Sequence, residues 1–120
     1  LTEIDDKDLP IDYEGKAIGT KMFPPEQEIM TEFLENIGSS LRKYIFVLEE
    51  LKNAYINNKR IGRRSISEIA RKKNIFLSEQ EIRAILINLE RYKMAEINMG
   101  RGGTVITGFG IKALNYLLKG

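Results

Sequence analysis

The chain has 120 residues and a mass of 13.8 kDa, enough for one domain that buries a hydrophobic core without covalent or metal crosslinks. It contains no cysteine and no histidine, which excludes disulfides, thiol nucleophiles, zinc sites built on those residues and the usual general base near neutral pH. The net charge of +2 divides unevenly, because residues 1–58 hold 6 Lys and Arg against 12 Asp and Glu, whereas residues 59–120 hold 13 against 5. The basic half, at +8, suggests a polyanionic partner.

Hydrophobic runs in the sequence are too short for a membrane span. The longest covers residues 44–48, whereas a spanning helix needs roughly 18 to 20 apolar residues. No signal peptide is visible, so we expect a cytoplasmic protein without a membrane partner. The chain begins at Leu1 rather than Met, which is typical of a piece of a longer protein.

Residues 1–23 form an acidic segment, with six carboxylates and one lysine before Gly15. Apolar residues on both sides of Glu14-Gly15-Lys16 predict a short hairpin. A frayed acidic tail or a linker after a preceding domain fits the composition equally well, so these interpretations stay open.

Residues 24–58 predict a long amphipathic helix. Pro24 and Pro25 followed by Glu26 are typical of a helix start, because proline fits the first turn and carboxylates complement the helix dipole there. Apolar residues then recur about every 3.7 positions, close to the helical period. Gly38 predicts a kink within one helix or a junction between two nearly collinear helices. The apolar stripe consists of Ile29, Phe33, Ile37, Leu41, Tyr44, Leu48, Leu51 and Tyr55.

This stripe is longer than one small domain needs to cover its core. We therefore expect part of residues 25–57 to pack against a second copy, giving a homodimer with two-fold symmetry. The alternative is that the helix packs wholly on its own domain or bends at Gly38.

A basic link and two short helices follow. Residues 59–64 are rich in Lys and Arg and predict a loop or a brief strand. Two capping-box patterns come next, beginning at Ser65 and at Ser78, each with a glutamate three residues later. They predict helices over 66–73 and about 78–92, in a helix-turn-helix arrangement whose second helix has the stronger apolar pattern.

The last part of the chain predicts a hairpin and a helix. Residues 94–98 and the β-branched run 104–107 are typical of strands, and the glycine-rich basic segment 100–103 would form the tip between them. A final helix is predicted from about Phe109, with apolar residues on one side.

The order helix, basic link, helix, turn, helix, hairpin, helix resembles the winged helix-turn-helix superfamily over residues 40–118. The stretches that carry the resemblance are Asn74–Tyr92 and Gly100–Gly108. The chain looks like the DNA-binding modules of bacterial and archaeal transcription regulators. It is similar to the winged-helix domain of archaeal nitrogen-regulatory repressors, where an Ile-x-Leu-Ser element, here Ile75–Ser78, opens the recognition helix. The resemblance implies a mainly α fold with a small β-hairpin, with the winged domain at residues 59–120.

Groove geometry then predicts which side chains touch DNA. On the recognition helix, Gln80 suits adenine and Arg83 suits guanine, whereas Ala84 and Ile87 suit thymine methyl groups. Basic residues around the helix pair would neutralise phosphates, and the wing at about 94–107 would contact the backbone or a minor groove. The predicted DNA-binding set is Lys59, Arg60, Arg63, Arg64, Ser65, Lys72, Ser78, Gln80, Arg83, Ala84, Ile87, Arg91, Arg101, Gly102, Gly103 and Thr104.

Each of these features also has a simpler interpretation. The Lys and Arg clusters can be an ordinary solvated face. Arg83 and Arg91 lie near glutamates of the same helix and can form surface pairs with them. The glycines of the tip can serve only a turn that needs positive φ. Glu79 counts against base contact at the helix start, because its charge would face phosphates.

We expect a sequence-specific double-stranded DNA-binding protein that acts in transcription regulation, for example as a repressor. Two alternatives remain: a winged-helix protein–protein interaction module that docks an acidic partner, and DNA binding in plasmid or phage replication or partition. No nucleophile, phosphate-binding loop or metal-ligand set is recognisable, so we expect no enzymatic activity, no cofactor and no metal.

Overall fold

The chain forms five α-helices and a two-stranded antiparallel hairpin within residues 22–98 and 103–119, the parts that the computed structural model describes. The elements are α1 (Pro24–Ile37), a 3-10 turn (Gly38–Ser40), α2 (Leu41–Ile56), α3 (Arg63–Lys72), α4 (Glu79–Arg91), β1 (Ala95–Asn98), β2 (Gly103–Ile106) and α5 (Gly108–Lys119). The expected mainly α fold with a small β-hairpin is confirmed. The predicted amino-terminal hairpin or tail and the wing-tip residues Arg101 and Gly102 lie outside the described residues.

The long helical segment predicted from residue 24 is present, but it is interrupted at the predicted weak point. Gly38 has φ 49° and ψ −121°, a conformation that side chains disfavour, and it separates α1 from α2. The segment begins at Pro24, as predicted, so the long helix follows residues 1–23 and the description of it as an N-terminal helix is wrong. There the backbone N–H of Phe23 donates to Glu26 Oε1 at 3.0 Å.

The apolar stripe of α1 and α2 is buried in the core of its own chain. Phe33 and Leu48 have no exposed surface, and Leu51 has 1%. The Phe33 ring makes edge contacts with Tyr44 and Tyr92, at centroid distances of 5.5 and 5.3 Å, each within the range that favours aromatic pairs. The buried residues of this segment therefore pack on their own domain, and Ile29, Leu41 and Tyr55 are partly buried against the same core.

Glu26 fastens α1 to α5. Its carboxylate lies 3.0 Å from Lys112 Nζ, and this ammonium also lies 5.4 Å from the centre of the Phe23 ring. Partial burial raises the pKa of Glu26, but the hydrogen bond from Phe23 and the charge of Lys112 outweigh it and hold the pKa below its usual range.

The predicted start of α3 is wrong. The helix begins at Arg63 with Gly62 as its N-cap, so Ser65 lies inside the first turn and makes no capping bond. The reason is tertiary: Ile61 forms an isolated antiparallel bridge with Thr104, and extended backbone continues to Gly62, at φ −116° and ψ −179°. The helix starts directly after the bridge, two residues before the capping-box pattern.

The capping box at the start of α4 is confirmed. Ser78 Oγ accepts from the backbone N–H of Glu81 at 3.1 Å, and the N–H of Ser78 donates to Glu81 Oε1 at 3.1 Å. The helices α2, α3 and α4 all end alike, with Asn58, Asn74 and Lys93 at positive φ directly after the last turn. In each case the following N–H donates to the carbonyl five residues earlier, which closes the helix end.

The hairpin and α5 are joined by close backbone packing. Strands β1 and β2 pair from Ala95 opposite Ile106 to Asn98 opposite Gly103. A Cβ on Gly110 would collide with the carbonyl group of Met94, so glycine is required where α5 crosses the base of the hairpin. Since α5 packs on α2 and β1 packs on α4, this crossing closes the core beneath both helices.

Candidate nucleic-acid interface

The buried side of α4 fixes which residues face solvent. Ile82 and Leu89 are fully buried and Ile85 and Leu86 are 5% exposed, as the apolar pattern predicts. Asn88 adds polar anchors: its Nδ2 donates to Tyr44 Oη at 3.0 Å and to Asn36 Oδ1 at 2.9 Å. The exposed residues of α4 are Gln80, Arg83, Ala84, Ile87 and Arg91, together with Glu79, Glu81 and Glu90.

Two cations neutralise the carboxylates at the start of α4. Arg63 Nε lies 3.6 Å from Glu79 Oε1, and Lys43 Nζ lies 2.8 Å from Glu81 Oε2. The hydrogen bond from Lys43 and that from the Ser78 backbone lower the pKa of Glu81. The contact of Glu79 with an arginine of α3 reduces the repulsion that its charge would exert on phosphates, although the pair is about half exposed and solvent screens it. It also means that part of the charge of Arg63 is already used within the chain.

Several cations of α3 keep their charge available. Arg64 and Lys72, which belong to the predicted DNA-binding set, and their neighbour Arg71 are exposed, and none of them forms an ion pair with another residue of the described ranges. The same holds for Lys59 on the link. Lys73 differs, because its Nζ lies 3.2 Å from the largely buried Glu50 and 5.9 Å from the centre of the Phe46 ring.

Arg83 and Arg91 also form no ion pair within the described parts of the chain, so the alternative interpretation, that they form surface pairs with glutamates of α4, is not observed there. The nearby carboxylate of Glu90 has another role, since its Oε2 accepts from the backbone N–H of Ile97 at 3.0 Å and ties α4 to β1. The guanidinium of Arg83 is therefore exposed on α4, a helix that Asn88 bonds to α1 and α2 and that Glu90 bonds to β1.

The basic link and the base of the hairpin form one continuous surface. The N–H of Thr104 donates to the carbonyl of Ile61 at 3.0 Å. Gly103 has φ 66°, and a Cβ there would lie 3.1 Å from Arg60 Cβ. Because glycine has no side chain, the basic link can pass close to the hairpin at this residue. Thr104, predicted to contact DNA, is only 4% exposed. Gly103 and Thr104 thus hold the link against the hairpin and offer little surface of their own for a contact with DNA.

A cleft of about 670 Å³ lies between α4, the start of α3 and the hairpin. It brings together four predicted site residues, Arg63, Arg83, Ile87 and Thr104, which are up to 41 positions apart in sequence. The remaining lining residues are Leu86, Glu90, Ile97 and Asn98. The walls therefore combine two guanidinium groups and the carboxylate of Glu90 with the apolar side chains of Leu86, Ile87 and Ile97.

Other predicted residues lie outside this cleft. Ser65 and Arg64 are exposed on the first turn of α3, Lys72 is at its last turn, and Ser78 lies at the opposite end of α4 from Arg91. At 1.5 Å per residue, Arg91 is about 18 Å along the axis from the start of α4. A partner that contacts both ends of α4 would have to span that distance.

Sequence reasoning did not single out Phe76 and Asn88. Phe76 is 92% exposed, in the connection between α3 and α4. The signal for it was a run of three apolar residues in a short connection, where all three cannot face inward. Asn88 gave no comparable signal, because its partners Asn36 and Tyr44 are more than 40 positions away.

Within the described residues, no three His, Cys, Asp or Glu side chains are grouped to hold a metal ion. No helix in these same ranges is long and apolar enough to cross a membrane. Comparison of the chain with protein-family models, with curated proteins and with solved structures gives no match.

Proposed function

We propose that the chain is a winged helix-turn-helix domain that binds double-stranded DNA sequence-specifically, as part of a transcription regulator. The observation that carries this proposal is the division of α4 into a fully buried side and an exposed side that presents Gln80, Arg83, Ala84 and Ile87. A helix can enter the major groove only when its outward residues are free and its rear is supported by the rest of the domain.

Two kinds of contact follow from this placement. Gln80 would read adenine through its amide, and Arg83 would read guanine through a bidentate pair. Arg64 and Lys72, which lie on α3 and form no ion pair with the described residues, would bind phosphates and position the domain without specifying sequence. The hairpin, tied to α4 through Glu90 and to the link through Ile61, would bring the wing against the backbone or a minor groove.

A second candidate is docking of an acidic peptide in the cleft between α4 and the hairpin. The cleft supports this because Leu86, Ile87 and Ile97 form an apolar floor between Arg63 and Arg83. A gel shift with random duplex DNA separates the two candidates, since a peptide-binding module without affinity for nucleic acid leaves the duplex unshifted.

Selection of bound duplexes from a random pool tests the proposal directly. We expect a defined sequence for the wild type, loss of preference at one position for Arg83→Ala, and an unchanged sequence with weaker binding for Arg64→Ala. Lys119→Ala, at the exposed end of α5, is the charge-matched control and should select and bind like the wild type. A pool that shows no enrichment after repeated rounds would contradict sequence-specific binding.

The homodimer through residues 24–58 stays a prediction, and the structure leaves it little apolar surface. Ile56 is the only large hydrophobic residue of that segment that is strongly exposed, at 46%. The outer side of α1 instead carries Glu28, Glu32 and Glu35. Sedimentation over a range of concentrations tests whether the dimer forms. A dimer with two-fold symmetry would also select a palindromic site.

A further inference from the structure

Phe76 has the highest exposure among the large hydrophobic side chains of the described residues, at 92%. It lies between Ile75, which packs against the core, and Leu77, which is 7% exposed. Its two neighbours thus occupy the inward positions of the connection, and the phenyl ring projects into solvent two residues before the N-cap of α4.

The connection that presents this ring is held at both ends. Asn74, at φ 58°, closes α3, and the N–H of Ile75 donates to the carbonyl of Ala70 at 2.8 Å. The capping box of Ser78 fixes the other end. A ring presented by a fixed backbone loses little conformational freedom when it binds, which makes an exposed aromatic useful for recognition.

The surroundings of Phe76 are polar, and the charges left without an ion pair there are cationic. A cleft of about 640 Å³ beside it is lined by Arg71, Glu79 and Glu81, among others. The two glutamates pair with Arg63 and Lys43, whereas Arg71, and Lys72 on the last turn of α3, form no ion pair within the described residues. A purely apolar partner would strip water from these groups without replacing its hydrogen bonds. The charges instead fit a polyanion that also offers a small apolar group, and the major groove of DNA offers both phosphates and the C5 methyl group of thymine.

We propose that Phe76 reads a thymine by packing against its C5 methyl group, beside the bases that Gln80 and Arg83 contact. This inference rests on the proposed DNA binding. It adds an apolar contact from outside α4 to the base contacts proposed for α4. Because the ring precedes the helix, the thymine lies at one end of the recognised sequence.

Uracil substitution tests this contact with a single methyl group. The duplex selected by the wild type is prepared with each thymine replaced in turn by uracil, and dissociation constants are measured for the wild type and for Phe76→Ala. We expect one replacement at an end of the site to weaken the wild type about three- to fivefold, the value of one buried methyl group. The same replacement should leave the affinity of Phe76→Ala unchanged.

Phe23→Ala is the matched control, since Phe23 is 62% exposed but lies beside Lys112 at the start of α1. It should retain the full methyl dependence. Phe76→Ala should unfold at the wild-type temperature, because the ring has almost no packing to lose. The inference is overturned if Phe76→Ala keeps the methyl dependence, if no thymine methyl matters to the wild type, or if the substitution dissociates a dimer in sedimentation. A wild type that binds no duplex contradicts the proposed function itself, which the other outcomes leave intact.

Discussion

The two sides of α4 differ in what holds them and in what they can do. On the inner side, Ile82 and Leu89 are fully buried, and Asn88 bonds to α1 and α2. On the outer side, Gln80 and Arg83 are exposed, and no ion pair in the described structure involves Arg83. The inner side therefore accounts for stability, and substitutions on the outer side should change binding while leaving the fold intact.

The largest expected effect comes from a substitution on the inner side of α4. Leu89→Ala should lower the free energy of unfolding by about 2–5 kcal/mol, because it removes a fully buried side chain and leaves a cavity. Urea denaturation measures the loss. The control is Ile87→Ala two residues earlier, 46% exposed, which should change stability by less than about 1 kcal/mol. Equal losses for the two variants would show that the sides of α4 are not energetically distinct.

The next effect belongs to the outer side. Arg83→Ala should leave stability within about 0.5 kcal/mol of the wild type, since the side chain is exposed. It should remove about 1–3 kcal/mol of discrimination between the selected duplex and one changed at a single base pair. Competition binding with the two duplexes measures the difference. Retained discrimination in Arg83→Ala would mean that this side of α4 does not read bases.

A smaller effect concerns the residue at which α4 begins. That residue determines which side chains fall on the inner side and which on the outer side of the helix. Ser78→Ala should destabilise the protein by about 0.5–2 kcal/mol, because the N–H of Glu81 loses its acceptor. Ser65→Ala, in the same sequence pattern, should have almost no effect, since Ser65 caps nothing. Thermal unfolding of both variants compares them, and a similar loss for Ser65→Ala would place the start of α3 at the capping box after all.

The smallest effect is the pH dependence of the pair that ties α4 to α2. The pKa of Glu81 is lowered in the folded state, first by the hydrogen bond from Lys43 and then by the Ser78 backbone. Its contribution to stability is therefore present above the ordinary value of 4.5 and is lost as the pH falls through the lowered pKa. Glu81→Gln should be less stable than the wild type at neutral pH and should approach it in acid. A stability gap that widens with acid would have the wrong sign.

Local patterns predicted the elements whose signals are local. The apolar spacing of α4 gave its buried side, and the pattern beginning at Ser78 gave its start, because helix periodicity and capping depend on residues a few positions apart. The β-branched run beside the glycine-rich segment gave the hairpin for the same reason.

What sequence reasoning missed depends on distant partners. The same capping pattern at Ser65 failed because the Ile61 bridge to Thr104, 43 positions away, fixes where α3 begins. The charge of Glu79 looked unfavourable until its contact with Arg63 was seen. Thr104 is a polar residue of the hairpin and is therefore expected at the surface, yet the link that crosses at Gly103 covers it.

Salt dependence of duplex binding tests the central proposal most directly, measured on the selected duplex for the wild type, Arg64→Ala and Lys119→Ala. If about four to six phosphates are neutralised, the logarithm of the association constant should fall with the logarithm of salt concentration at a slope of about −4 to −5. Arg64→Ala should make the slope less steep by about 1, and Lys119→Ala should leave it unchanged. Binding that does not weaken between dilute and moderate salt would contradict a DNA-binding surface formed by the link, α3 and α4.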